Sequence, residues 1–371
     1  MTLLTTIGLM SGTSLDGIDA ALIRTDGRDR VETGAFLTVP YAEPLRARLR
    51  ACLGGQGPAA DIAAVERDLT RAHAEAVRAL LAAAGLTAEA VNLIGFHGHT
   101  ILHAPEQRRT WQIGDGALLG VLTGIPVVDD FRSADVAAGG QGAPLVPLYH
   151  QALAATLARP LAVLNIGGVA NVTWLGHGED AVLAFDTGPG NALIDDWVLR
   201  HTGRRYDENG ALAGRGRVNA AVLATLLDHP YFERPAPKSL DRDAFDPAPV
   251  AVLSTEDGAA TLTAFTVEAV AAALPQLPEL PARWLVTGGG RLNATLMALL
   301  AARLEVPVEP VDDLGWSGDA LEAQAFGYLA VRSVRGLPLS LPTTTGGPRP
   351  ISGGRFHGLA NRGGKPDKSD R

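Results

Sequence analysis

The chain has a single cysteine in 371 residues, Cys52, so no intrachain disulfide can form, which fits a reducing cytoplasm. Lysine is almost as scarce: Lys238, Lys365 and Lys368 stand against many arginines, and Lys238 alone precedes the tail. That singles it out for a role arginine does not fill. The N-terminus shows no basic segment followed by an apolar run, and no stretch approaches the roughly 20 apolar residues of a membrane span, so a soluble, unexported chain is expected. Cys/His clusters with zinc-ligand spacing are missing, as is Gly-x-x-x-x-Gly-Lys-Ser/Thr, which removes support for a zinc site or a P-loop. Basic charge is not in excess either. With 32 basic against 40 acidic residues and a net charge of −8, a broad phosphate-neutralising face for nucleic acid is not expected.

Glycine, by contrast, is placed in a pattern. Two apolar runs, Leu3 to Met10 and Ile18 to Thr25, flank the turn Ser11-Gly12-Thr13-Ser14-Leu15-Asp16-Gly17. Such a turn can present N–H groups and the Thr13 and Ser14 hydroxyls to an anion, while Asp16 and Asp19 can hold water or a metal ion. The same composition suits a plain structural hairpin. It recurs, however, at Asn165-Ile166-Gly167-Gly168-Val169, and a third cluster, Gly288-Gly289-Gly290, ends an apolar run and opens a helical stretch from about Asn293. Two glycine hairpins and one strand-to-helix glycine loop are the parts needed to clamp a nucleoside triphosphate between two similar halves.

The apolar periodicity agrees with two halves. Strands are expected at Leu3 to Met10, Ile18 to Thr25, Val31 to Val39 and Val91 to Phe96, with helices at Ala42 to Cys52 and Ala59 to Ala84. Strands at Leu161 to Ile166, Val172 to Leu175 and Ala181 to Phe185, then helices from Asn191, Arg217 and Thr261, repeat that grammar. The length suits two domains, and the change of character at Pro126 to Arg132 puts the boundary there, giving 1–130 and 131–371. The tail from Gly353 has few apolar groups and is expected to be mobile past about Asn361. Asp186 follows an apolar strand and precedes Thr187-Gly188-Pro189-Gly190, so its carboxylate is either delivered to a ligand at a strand end or caps a tight turn.

The ordered blocks Gly12 to Asp19, Gly95-Phe96-His97-Gly98-His99-Thr100, Asp130-Phe131-Arg132 through Pro147, Asn165 to Thr173, Phe185 to Asn191, Lys238-Ser239, Gly288 to Asn293 and Asp319 to Phe326 resemble the anhydro-N-acetylmuramic acid kinases. That family lies within the acetate and sugar kinase, Hsp70 and actin superfamily. The resemblance implies an α/β, two-domain actin-like ATPase fold of duplicated ribonuclease H-like β-β-β-α units with an interdomain cleft. It further implies ATP and Mg²⁺ as cofactors, an amino-sugar substrate, cytoplasmic cell-wall recycling and a possible homodimer, without nucleic-acid or membrane partners. The implied nucleotide-binding residues are Gly12, Thr13, Ser14, Leu15, Asp16, Gly17, Ile18, Asp19, Asn165, Gly167, Gly168, Gly288, Gly289 and Gly290. Asp19 is also the implied Mg²⁺ contact. Asp186 becomes the catalytic base, and His97, Thr100, Gly190, Asn191 and Glu322 the sugar contacts. His99 replaces the family's usual Gln, leaving open a sugar contact that is pH-sensitive. The competing readings are an actin- or Hsp70-type nucleotide switch and a kinase for a different sugar.

Overall fold

The computed structural model describes residues 1–12, 15–178 and 180–359. The chain divides into two compact units: Met1–Leu153 with Ala320–Leu341 and the described residues from Gly347, and Ala154–Asp319 with Pro342–Gly346. The first unit thus ends at Leu153, beyond the 130 read from composition. Strand β6 (Val127–Asp129) does end there, but helices α4 (Ser133–Ala138) and α5 (Pro147–Leu153) stay with the same unit. Tyr149 of α5 is wholly buried and donates to Gln324 Oε1 at 2.8 Å, its ring 5.5 Å from that of Tyr328. Both partners lie on helix α10 (Leu321–Val334) of the first unit.

In the first unit, β1 (Leu4–Ser11), β2 (Gly17–Thr25) and β3 (Val31–Pro40) form an antiparallel meander. The chain then passes through α1 (Glu43–Cys52) and α2 (Ala59–Ala84). It returns as β4 (Leu93–Ala104), parallel to β1, folds back as β5 (Arg109–Ile113), and crosses α3 (Gly116–Thr123) into β6 (Val127–Asp129), parallel to β4. A last strand, β12 (Arg355–His357), pairs antiparallel with β6, giving the order β12-β6-β4-β1-β2-β3. β1 is buried without a break from Thr6 to Leu9 because both its faces are covered. Ile7 and Leu9 are fully buried in the core shared with α2. On the other side, a side chain at Gly8 would collide with the Ala323 carbonyl, and one at Gly95 with the Phe326 carbonyl. Glycine inside a strand usually weakens it; here it lets α10 lie against the sheet backbone.

The second unit repeats the order as β11-β10-β7-β8-β9. The meander is β7 (Leu161–Ile166), β8 (Val169–Leu175) and β9 (Val182–Pro189), and β10 (Trp284–Thr287) and β11 (Val308–Pro310) run parallel to β7 and to β10. Helices α6 (Ala192–Thr202), α7 (Ala220–Leu227), α8 (Thr255–Ala272) and α9 (Ala294–Leu304) complete it, with the short α11 (Pro342–Thr345) beside β9. Contrary to the sequence expectation, the stretch Thr255–Gln276 is long and apolar enough to cross a membrane. It is instead mostly buried, with Leu262, Phe265, Val267 and Val270 in the core of this unit.

Candidate active site

The first glycine hairpin joins β1 to β2. Thr13 and Ser14 lie outside the described residues. Around them, the Leu15 N–H donates to the Gly12 carbonyl at 3.0 Å, with Leu15 at φ 60° and its side chain buried. A side chain at Gly17 would press on the Val39 carbonyl, so the turn is held tight against β3. Leu15 and Ile18 point into the core, leaving only their backbone for a ligand, whereas Asp16 is exposed. Asp19 Oδ1 accepts from the Thr38 hydroxyl at 2.6 Å. Beneath the hairpin, Ser11 Oγ is 2.6 Å from the Tyr41 hydroxyl and 2.8 Å from His99 Nδ1. His99 is wholly buried, and burial pushes its pKa down to about 4, so it is a neutral support for β1 and does not titrate near neutrality.

Where β4 runs past the end of β6, a second group assembles. His97 Nε2 accepts from Arg132 Nε at 3.0 Å, and its Nδ1 lies 3.0 Å from the Gly98 carbonyl. Those partners require the neutral tautomer with hydrogen on Nδ1. Burial, with Arg132 second, holds the ring well below the ordinary imidazole range. The ring packs on Phe326 of α10, centroids 4.5 Å apart. Arg132, which the sequence reading placed in a matching block but gave no role, also donates to the Gly142 carbonyl at 2.6 Å. Glu322 stands in the first turn of α10. Its carboxyl is raised by desolvation and by Asp19 and lowered by Arg132, so these three charges act on one another. Thr100 is set apart: its hydroxyl accepts from Gln112 Nε2 at 3.2 Å within the β4–β5 hairpin.

In the second unit, the hairpin between β7 and β8 turns at Gly167 and Gly168. The N–H groups of Gly190 and Asn191 donate to the Gly168 and Gly167 carbonyls at 2.9 and 2.7 Å, and Asn191 Nδ2 donates to the Ile166 carbonyl at 2.9 Å. Gly190 and Asn191 therefore commit these hydrogen bonds to bracing the hairpin. The third glycine loop sits alongside. Gly288 has φ +75°, and a side chain there would strike Asn165 Oδ1 and the Ile166 carbonyl. Gly289 has no such constraint; the nearest atom to an added Cβ would be Asn191 Nδ2 at 3.5 Å. Arg291, not singled out from sequence, ties the loop down. It donates to the Gly288 carbonyl at 3.0 Å and pairs with Asp312 at 2.7 Å and Asp319 at 3.0 Å.

Asp186 lies within β9, which continues to Pro189, and not in a tight turn after a strand. The β8–β9 register shifts between Ala170 and Asn171, opposite Gly188 and Asp186, so the strand bulges here. Bulges commonly re-aim a side chain. The Asp186 N–H donates to the Lys238 carbonyl at 2.9 Å, its carbonyl accepts from the Tyr231 hydroxyl at 2.5 Å, and Oδ2 accepts from the Leu240 N–H at 2.8 Å. Burial pushes its pKa up to about 7, with the Leu240 N–H opposing. A carboxylate so tuned exchanges protons efficiently at neutral pH.

Two copies of a three-strand meander continued by two parallel strands, each with a glycine turn between its first two strands, define an actin-like ATPase fold of the sugar-kinase type. The sequence makes the assignment specific. Residues 4–357 match the family described as anhydro-N-acetylmuramic acid kinase, and the chain belongs to that family. A relative from Paramagnetospirillum magneticum bearing that name is 59% identical over 354 residues, covering 95% of this chain and 99% of the relative. One from Rhodospirillum rubrum with the same name is 60% identical over 353 residues, covering 94% and 93%.

Proposed function

We propose that the chain converts 1,6-anhydro-N-acetylmuramic acid, ATP and water to N-acetylmuramic acid 6-phosphate and ADP, in cytoplasmic recycling of cell-wall sugar. The observation that carries the mechanism is Asp186, a bulge-borne carboxylate held near neutrality by burial and fixed by the Leu240 N–H. Asp186 takes a proton from a water that attacks the anomeric carbon. The bond from that carbon to the bridge oxygen breaks, and the bridge oxygen remains on C6. That oxygen accepts the γ-phosphoryl group, so ring opening and transfer are completed at one atom. Phosphoryl transfer demands mainly positioning and charge neutralisation. The three glycine loops supply the positioning through backbone N–H groups.

Mg²⁺ fits the donor set. Asp19 and Glu322 are two carboxylates close enough to perturb each other, and Mg²⁺ typically takes one or two carboxylates plus waters and substrate phosphates. Asp19 would hold the ion, which would supply charge neutralisation on the transferring phosphates. Arg132, braced by His97, and Glu322 provide cationic and anionic hydrogen-bonding groups suited to a sugar bearing hydroxyls and a carboxylate, whereas His97 itself, expected as a sugar contact, has both ring nitrogens committed to Arg132 and the Gly98 carbonyl. Mass spectrometry of products from a panel of amino sugars with ATP and Mg²⁺ tests the assignment. A product only from the anhydro sugar supports it; phosphorylation of ordinary hexosamines without ring opening contradicts it.

A further inference from the structure

We propose that Lys238 is a positioning residue for Asp186, acting through the segment His229–Leu240 that it ties down; the inference rests on Asp186 being the base. Lys238 is buried, 9% exposed. Its ammonium donates to the Tyr231 carbonyl at 3.0 Å and the Phe232 carbonyl at 3.4 Å, and stands 4.5 Å from the Tyr231 ring centroid. No carboxylate pairs with it among the described residues. A buried cation satisfied only by carbonyls and a π-face is costly, and desolvation accordingly lowers its pKa to about 8, with Arg234 adding to the effect.

That cost closes a short segment on itself, and the closed segment grips Asp186 at its N–H, its carbonyl and one carboxylate oxygen. The Lys238 carbonyl takes the Asp186 N–H, the Tyr231 hydroxyl takes the Asp186 carbonyl, and the Leu240 N–H takes the carboxylate. All three donors or acceptors belong to the stretch whose ends the ammonium draws together. The other charged or titratable groups along it are Glu233, which is exposed, Arg234, close enough to act on both Lys238 and Tyr231, and His229, which accepts the Tyr231 N–H at 3.2 Å. Among many arginines, a lysine here follows from shape. Two carbonyls and a ring converge on a point, which suits three donors on a compact ammonium better than a planar five-donor fork.

Freeing the segment would let water reach the Asp186 carboxylate. Desolvation is the larger influence on that group and the Leu240 N–H the smaller, so the net result is a more acidic, weaker base. The test is Lys238→Met in the full chain, with kcat/KM for the anhydro sugar measured against pH at saturating ATP and Mg²⁺. The plateau should fall about tenfold or more, and the acidic limb should move down by more than one pH unit. ATP affinity by calorimetry should stay within about twofold. Tyr231→Phe, which removes one grip and no charge, should move the limb the same way by less, and it decides the matter if the lysine variant does not fold. A lower plateau with an unmoved limb would show a merely structural role and overturn the inference, as would unchanged kinetics. If Asp186→Asn itself keeps normal turnover, the base assignment falls and this inference with it. An inactive Asp186→Asn beside a kinetically normal Lys238→Met sinks this inference alone.

Discussion

Replacing Asp186 with asparagine should move activity and stability in opposite directions. The amide keeps the volume and still accepts from the Leu240 N–H, but it cannot take a proton from water, so turnover should fall by about 10²- to 10⁴-fold. Folding should gain. The carboxyl has a pKa of about 7 in the protein against an ordinary 3.8, chiefly because burial disfavours the ion. The folded state therefore keeps its proton to higher pH than the unfolded chain. Stability falls as pH rises between about 4 and about 7, and the whole penalty is present above that window. Three pH units at about 1.4 kcal/mol each give ~4 kcal/mol, and partial solvation of the group brings the expected gain for the variant to roughly 2–4 kcal/mol at pH 8. At pH 4 the gain should nearly vanish. Denaturant unfolding of both proteins at the two pH values, beside an ADP-release assay, measures each arm. A variant with near-normal turnover, or one whose stability relative to the parent does not change with pH, would refute the reasoning.

Three other perturbations follow from the same geometry. Gly289→Val should fold normally, since Gly289 has ordinary backbone angles and room for a Cβ, yet weaken ATP binding at least tenfold with sugar binding kept; calorimetry showing loss confined to the sugar would place the third loop at the wrong end. Arg291→Lys keeps charge but cannot serve Asp312, Asp319 and the Gly288 carbonyl together, so KM for ATP should rise about tenfold while KM for the sugar holds; equal changes in both would contradict this. Gly8→Ala should cost about 1–3 kcal/mol or more, because α10 has to move off the strand, and denaturant midpoints matching the parent would show that the contact yields easily.

What was legible in the sequence was local. Leu3 to Met10 and Ile18 to Thr25 read as strands because their apolar runs end in glycine turns, and they correspond closely to β1 and β2. The bulge that presents Asp186 was not legible, since it arises from a register shift against β8 some 15 residues earlier, and the Asp-Thr-Gly run looks like a turn. Nor could the His229–Leu240 segment be tied to Asp186, because its hydrogen bonds cross about 45 to 54 residues and carry no periodic signal. Gly8 and Gly95 appear as defects in strands until a helix more than 200 residues later covers them. The polar tail hid β12, whose Arg355 gains its place by pairing with Asp129 at 3.1 Å. The domain boundary slipped for a related reason: the charged run after β6 marks a strand end, not the end of the unit.

The coupling of ring opening to phosphoryl transfer is tested most directly by running the reaction in ¹⁸O-water and locating the label by mass spectrometry. Water attack at the anomeric carbon predicts one ¹⁸O at the anomeric hydroxyl and none in the phosphate or at C6. Label in the phosphate, or an unlabelled sugar phosphate, would contradict it.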